Sequence, residues 1–146
     1  MKEELEKQLV EKYPKIFANV GGDVRQTPMA FGIETGSGWY NILDKLCANI
    51  QGYTDATNER RAFLLDDNPY NVTIPDEVPQ LVADQVKEKF ATLRFYYTGG
   101  DDKIDGMVRM AESMSGVTCQ TCGNVGRIRG KGWIYTACDE HAKEGD

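Results

Sequence analysis

Histidine is almost absent from this chain, because its 146 residues include only one, His141. The spacing around that residue predicts a metal ligand. It completes the series Cys119-x2-Cys122, a fifteen-residue gap and Cys138-x2-His141. Since a histidine bound to a metal cannot also act as a general base, this pattern excludes nucleophile systems of the Ser-His-Asp and Cys-His types.

Long apolar runs and an excess of basic residues are also missing. No stretch is long enough to cross a membrane, and the first residues lack the apolar segment of a secretory signal. A net charge of −6 argues against a general DNA- or RNA-binding protein. The length and the 40% of apolar residues are sufficient for one domain with a buried core. We expect it in the cytoplasm, where reducing conditions preserve metal thiolates.

The cysteine and histidine series predicts a structural zinc site. Three thiolates and one imidazole complete a tetrahedron, whereas a catalytic zinc keeps one position open for water. The alternatives are reduced thiols without a metal, or disulfide partners. The remaining cysteine, Cys47, lies on an apolar stripe at helical spacing, so we expect it to be a core residue rather than a reactive thiol.

The spacing of apolar residues and of turn residues predicts a small α+β body over residues 1–117. Helical and strand patterns alternate along it without any internal repeat. The predicted elements are a helix before Pro14, a helix from Trp39 to about Gln51, a flap over residues 52–80, a hairpin of strands 86–90 and 92–98, and a helix that begins at Asp101 or Asp102 and ends at Gly116.

Residues 118–146 are predicted to form a treble-clef-like zinc finger that is integrated with this body. The segments 127–129 and 133–135 can pair as strands, and Cys138 and His141 are one turn apart in a predicted terminal helix. A segment of this length buries too little apolar surface to fold alone, so structural support is the first interpretation of the finger. The alternative is nucleic-acid binding through Arg127, Arg129 and Trp133, which would rest mainly on phosphate neutralisation.

The second strand of the hairpin carries the other candidate site. If Leu93 and Phe95 face the core, Arg94 and Tyr96 share the opposite face of the sheet. A guanidinium beside a tyrosine ring can bind a phosphate and stack on a base, although the same pattern also fits an ordinary solvated sheet face.

Several motifs resemble a family of small proteins from bacteriophage and prophage genomes. The resemblance covers most of the chain after the first helix. It is carried by residues 31–34 and 38–40, by residues 85–97, by Gly99-Gly-Asp-Asp102, by Thr118-Cys-x2-Cys-Gly123 and by Gly132-Trp-x3-Ala-Cys-Asp-x-His141.

The resemblance implies an anti-defence protein of the host bacterial cytoplasm. Its expected task is to sequester, without catalysis, a cyclic nucleotide by which host defences of the CBASS type signal. We also expect a homo-oligomer. The candidate ligand residues are Arg94 and Tyr96, with Trp39, Tyr40 and Arg25 as additions. Two alternatives stay open, namely a zinc-finger module that binds nucleic acid or a host protein, and an enzyme that uses Glu34, Asp101 and Asp102.

Overall fold

The computed structural model describes residues 1–146 and confirms an α+β fold with three α-helices and two small sheets. No helix in it combines the length and the apolar character that a membrane span requires. In chain order the elements are α1 (Glu3–Lys12), β1 (Ile33–Glu34), α2 (Tyr40–Asp66), β2 (Val82–Lys89), β3 (Thr92–Thr98), α3 (Asp102–Ser115), β4 (Arg127–Arg129) and β5 (Tyr135–Ala137).

The main sheet has the strand order β1-β2-β3, with β1 parallel and β3 antiparallel to β2. Ala83 and Val86 of β2 and Leu93 and Phe95 of β3 enter a core of 20 buried residues, to which α1, α2 and α3 contribute their apolar faces. One backbone group on the free edge of β3 is satisfied by the end of α3, because the Leu93 N–H donates to the Ser115 hydroxyl at 2.8 Å.

The predicted hairpin is confirmed, and its turn has an unusual backbone. Phe90 and Ala91 both have positive φ, at 52° and 69°, which is the geometry of a two-residue turn that glycine or asparagine usually supplies. Two side chains hold this turn, since Glu88 accepts from the Ala91 N–H at 2.7 Å and Thr136 donates to the Ala91 carbonyl at 2.6 Å. The second of these bonds comes from β5, so it joins the hairpin to the C-terminal module.

The helix α2 is longer than predicted, because it continues past Gln51 to Asp66. A glycine at position 52 lowers the stability of the helix by about 1 kcal/mol relative to alanine, and the packing of α2 against the rest of the protein compensates for this loss. The predicted flap over 52–80 is therefore wrong in its first half. Its second half returns along α2 and is held there, since the Asn58 side chain bonds both backbone groups of Val78 and Arg61 donates to the Pro75 carbonyl at 2.8 Å.

The helix α3 begins as predicted, and Asp101 is the residue that caps it. The Asp101 carboxylate accepts from the N–H groups of Lys103 and Ile104 and from the Tyr53 hydroxyl at 2.6 Å. Burial opposes ionisation of this carboxyl, but the three donors outweigh it and lower its pKa. Asp101 is thus an ionised cap, a role that its position before the helix already indicated.

Candidate metal centre and ligand cleft

Two short turns bring the four predicted metal ligands together. Cys119 and Cys122 lie on a knuckle that closes through a bond from the Gly123 N–H to the Cys119 carbonyl at 2.9 Å. Cys138 directly follows β5, and His141 lies in the 3-10 turn Asp139–His141. Two details differ from the sequence prediction, since β5 begins at Tyr135 rather than Trp133, and the terminal element is this short turn rather than an α-helix.

The donor atoms of this cluster lie within 4.8 Å of one another, so they could hold a metal ion. Sγ of Cys122 is 3.7 Å from Sγ of Cys138, and Nδ1 of His141 is 3.8 Å from Sγ of Cys119 and 3.2 Å from Sγ of Cys138. With metal–sulfur bonds of about 2.3 Å, a tetrahedral site places its sulfurs about 3.8 Å apart. A disulfide requires sulfurs about 2.05 Å apart, so the cysteines are free thiols placed for a metal.

The backbone around Cys119 favours a thiolate. Burial alone would raise the pKa of this thiol, but the backbone N–H groups of Cys138, Cys122 and Thr121 point to its sulfur and lower the pKa to about 6. A thiolate is the form that binds a metal, and donors that stabilise it also fix its direction. The residues present therefore fit a Cys3His metal centre.

The metal module is joined to the body through a glycine-containing loop before α2. The Gly38 N–H donates to the Gln120 carbonyl at 2.8 Å, and a Cβ at Gly38 would lie 2.1 Å from the Cys119 carbonyl oxygen. Next to it, Nε1 of Trp39 donates to the Thr118 carbonyl at 2.8 Å, and the Trp39 ring is fully buried. Trp39 is thus an anchor between body and module, and its predicted role in a ligand pocket is wrong because no face of the ring is accessible.

One residue of the predicted nucleic-acid-binding cluster of the finger, Arg129, is not available for that role. Arg129 is only 8% exposed, and its guanidinium donates to the Ala137 carbonyl and to the Asp139 carboxylate. Its charge is therefore paired inside the module and is not available to bind a phosphate. Arg127 and Trp133 are exposed.

The outer face of the hairpin is locally basic. Leu93 and Phe95 are buried, which confirms the predicted alternation. In the register of the two strands, Arg94 lies opposite Lys87 and Tyr96 opposite Gln85, so these four side chains share the outer face. Arg94 lies 3.8 Å from the Glu112 carboxylate and its side chain keeps 32% exposure, while Tyr96 is 46% exposed.

Beside this face is a cleft of about 290 Å³ between the hairpin turn and the loop that precedes β5. The hairpin contributes Lys87, Glu88, Lys89 and Phe90, and the loop contributes Gly132, Trp133 and Ile134. Two aromatic rings at its mouth, those of Phe90 and Trp133, are 67% and 79% exposed. The amino group of Lys89 lies 5.4 Å from the centre of the Phe90 ring. We call the cleft that these residues line the aromatic cleft.

Sequence reasoning missed the lysines and Phe90 of this cleft. The available signal was an aromatic residue at a hairpin turn, where a large apolar side chain has no core to enter. Two other predicted ligand residues lie elsewhere, since Arg25 is held by both oxygens of Asp23 and the Tyr40 hydroxyl donates to Gln8. None of the five predicted ligand residues lines the aromatic cleft, and Arg94 and Tyr96 lie on the outer face of the hairpin beside it.

The carboxylates of the enzyme alternative lie at two places, with Glu34 on β1 and the adjacent Asp101 and Asp102 at the start of α3. Glu34 is exposed on β1, Asp102 is exposed in the first turn of α3, and Asp101 is used as the cap described above.

No protein-family model, curated protein or solved structure matches this chain.

Proposed function

We propose that this protein is a non-catalytic binding protein that sequesters a small nucleotide in the aromatic cleft. The observation that carries the proposal is that two exposed aromatic residues, Phe90 and Trp133, line one cleft together with Lys87 and Lys89. A nucleotide combines a flat base with a phosphate. Aromatic rings stack on the base and ammonium groups pair with the phosphate, so the two halves of the cleft match the two halves of the ligand.

Local charge supports a small anion as the ligand. Neither Lys87 nor Lys89 has an ion-pair partner within 4 Å. Arg94 extends this basic surface along β3, with Tyr96 beyond it. The acidic neighbours are Glu88 in the cleft, whose carboxylate accepts from the Ala91 N–H, Glu34 opposite Lys87, and Glu112 beside Arg94. Three cations suffice for a ligand with one or two phosphates, whereas a nucleic-acid polymer would also meet the −6 charge of the whole chain.

The resemblance to small phage proteins supports a specific biological role for such binding. In this proposal the ligand is a cyclic nucleotide of a host defence system, held in the host bacterial cytoplasm and withdrawn from its receptor. Sequestration needs tight binding and no proton transfer, which agrees with a chain whose single histidine belongs to the metal cluster. A homo-oligomer would multiply the number of clefts available to one signal.

We further propose that the metal is Zn²⁺ with a structural role. Four protein ligands of the Cys3His type complete a tetrahedral shell, which is typical of structural zinc. The ion would hold Cys138 and Cys119 at the two ends of the module and so fix the loop that carries Trp133. Through the bond from Thr136 to the Ala91 carbonyl, that loop is placed opposite the hairpin turn with Phe90.

Trp133→Ala should weaken binding of the cognate cyclic nucleotide about fivefold to one hundredfold, because base–aromatic stacking contributes about 1–3 kcal/mol. The dissociation constant is measured by isothermal titration calorimetry with cyclic di- and trinucleotides. Trp133→Phe keeps a ring for stacking and should retain most of the affinity.

Two exposed residues outside the cleft provide matched controls. Tyr70 is an aromatic residue with 88% exposure, and Arg25 is a cation paired only with Asp23. Tyr70→Ala is the control for Trp133→Ala, and Arg25→Ala is the control for Lys87→Ala. Both control variants should bind the nucleotide with unchanged affinity. The proposal fails if Trp133→Ala binds like the unmodified protein, or if only oligonucleotides bind, with an affinity that falls steeply with salt.

A further inference from the structure

The candidate metal centre is buried on one side and open to solvent on the other. Cys119 is fully buried and Cys138 is 9% exposed, whereas Cys122 is exposed. The neighbours of Cys122 on the knuckle, Thr121 and Gly123, are exposed as well. A small polar molecule can therefore reach Sγ of Cys122 from solvent, while the protein shields the other two thiols of the cluster.

A second thiol lies directly beside the accessible one. Sγ of Cys138 is 3.7 Å from Sγ of Cys122, and a disulfide requires about 2.05 Å, so the two sulfurs have to approach by about 1.7 Å. The exposed turn that carries Cys122 is the part of the centre that can make this movement. Cys119 is a less suitable partner, because it is fully buried and backbone N–H groups hold its sulfur.

We propose that Cys122 and Cys138 form a redox switch, in which a peroxide converts the pair to a disulfide and the metal ion is released. The Cys122 thiolate attacks a peroxide oxygen, so that an S–O bond forms, the O–O bond breaks and hydroxide leaves. The Cys138 thiolate then attacks the sulfur of this sulfenic acid, which forms the S–S bond and displaces a second hydroxide. The two thiolates together lose two electrons, and one peroxide is reduced to two hydroxides that take up protons to become water.

The disulfide leaves the metal ion with too few ligands. Only Cys119 and His141 remain, and two protein ligands do not complete the tetrahedral shell of structural zinc. The buried cluster of the module consists of Cys119, Ala137 and Cys138, so no other core holds the module together once the ion has left.

The switch is connected to the aromatic cleft through β5. Cys138 directly follows this strand, and Thr136 within it donates to the Ala91 carbonyl at the hairpin turn. The loop before β5 supplies Trp133 to the cleft. Oxidation should therefore displace one wall of the cleft from the other and release the bound nucleotide. This consequence rests on the proposed function, whereas the thiol chemistry does not.

Hydrogen peroxide is the probe that tests the switch. The zinc-loaded protein is treated with peroxide, the released zinc is followed with a chromophoric indicator, and the disulfide is located by peptide mass spectrometry after alkylation of the remaining thiols. We expect one zinc ion released for each disulfide, a linkage between Cys122 and Cys138, and full recovery after reduction and addition of zinc. Dimedone, which traps sulfenic acids, should label Cys122 and prevent the disulfide.

Cys47→Ala is the control for the cysteine outside the cluster. Cys47 is fully buried in the main core, so this variant should release zinc at the same rate as the unmodified protein. The oxidised protein should bind the cognate cyclic nucleotide about fivefold or more weakly than the reduced protein, because it loses the stacking contribution of Trp133.

Three outcomes would overturn the proposal. The first is retention of zinc with all thiols reduced, under peroxide conditions that oxidise glutathione, and the second is a disulfide that involves Cys119 or joins two chains. The third is an oxidised, zinc-free protein with unchanged nucleotide affinity, which would reject the connection to the cleft. If the reduced protein binds no nucleotide, the proposed function fails, and the released zinc and the peptide map still decide on the switch.

Discussion

Cys119→Ser is expected to abolish stoichiometric metal binding and to unfold residues 118–146. The module has no core of its own, because its buried cluster consists of Cys119, Ala137 and Cys138, two of which belong to the candidate metal cluster. A structural zinc ion contributes about 10–16 kcal/mol of apparent binding free energy, which a serine hydroxyl cannot replace. Metal content by mass spectrometry and amide NMR spectra of the module check the result, and removal of the metal by a chelator should reproduce it.

Cys47→Ala is the matched control for the loss of a cysteine. Cys47 is buried in the main core, and burial raises the pKa of its thiol, so it is neither a metal ligand nor a reactive group. This variant should keep its full metal content and lose only about 1 kcal/mol of stability through the missing sulfur. Full metal content in Cys119→Ser, with an unchanged NMR spectrum of residues 118–146, would contradict the assignment of the metal centre.

Trp39→Ala should lower the free energy of unfolding by about 3–5 kcal/mol, the usual cost of removing a fully buried large aromatic side chain. The loss should exceed that of an ordinary core substitution, because the indole also donates the bond to the Thr118 carbonyl that joins the body to the metal module. Urea unfolding followed by circular dichroism measures the stability, and metal affinity should fall in parallel.

Trp39→Phe separates the two contributions. Phenylalanine keeps most of the buried ring and leaves the Thr118 carbonyl without its donor, so the expected loss is smaller, about 1–3 kcal/mol. Its nucleotide affinity should equal that of the unmodified protein, since Trp39 does not line the cleft. Equal stabilities of the alanine and phenylalanine variants, or a specific loss of nucleotide binding in Trp39→Phe, would contradict the role of Trp39 as a buried anchor.

The parts of the structure that the sequence predicts well depend on local spacing. The ligand pairs Cys119–Cys122 and Cys138–His141 are each separated by two residues, so the chain has little freedom to place them apart. The alternation of Leu93, Arg94 and Phe95 likewise follows from the two-residue period of a strand. In both cases neighbours in the sequence determine the geometry.

The features that the sequence does not predict depend on contacts between distant segments. The extension of α2 beyond Gln51 is stabilised by the returning chain at Val78, which no local pattern indicates. Trp39 donates a hydrogen bond to Thr118, 79 positions away, and Arg129 pairs with Asp139 inside its own module. The aromatic cleft is lined by Phe90 from the hairpin turn and by Trp133 from the loop before β5, so it could be recognised only after the fold was known.

Native mass spectrometry of the purified protein with a panel of cyclic di- and trinucleotides tests the proposed sequestration most directly. One spectrum reports the bound metal, the number of subunits and the mass of any retained ligand. We expect one metal ion per chain and an intact nucleotide at a fixed stoichiometry. A metal-loaded protein that retains none of the nucleotides, or that releases a ligand of altered mass, would contradict the proposal.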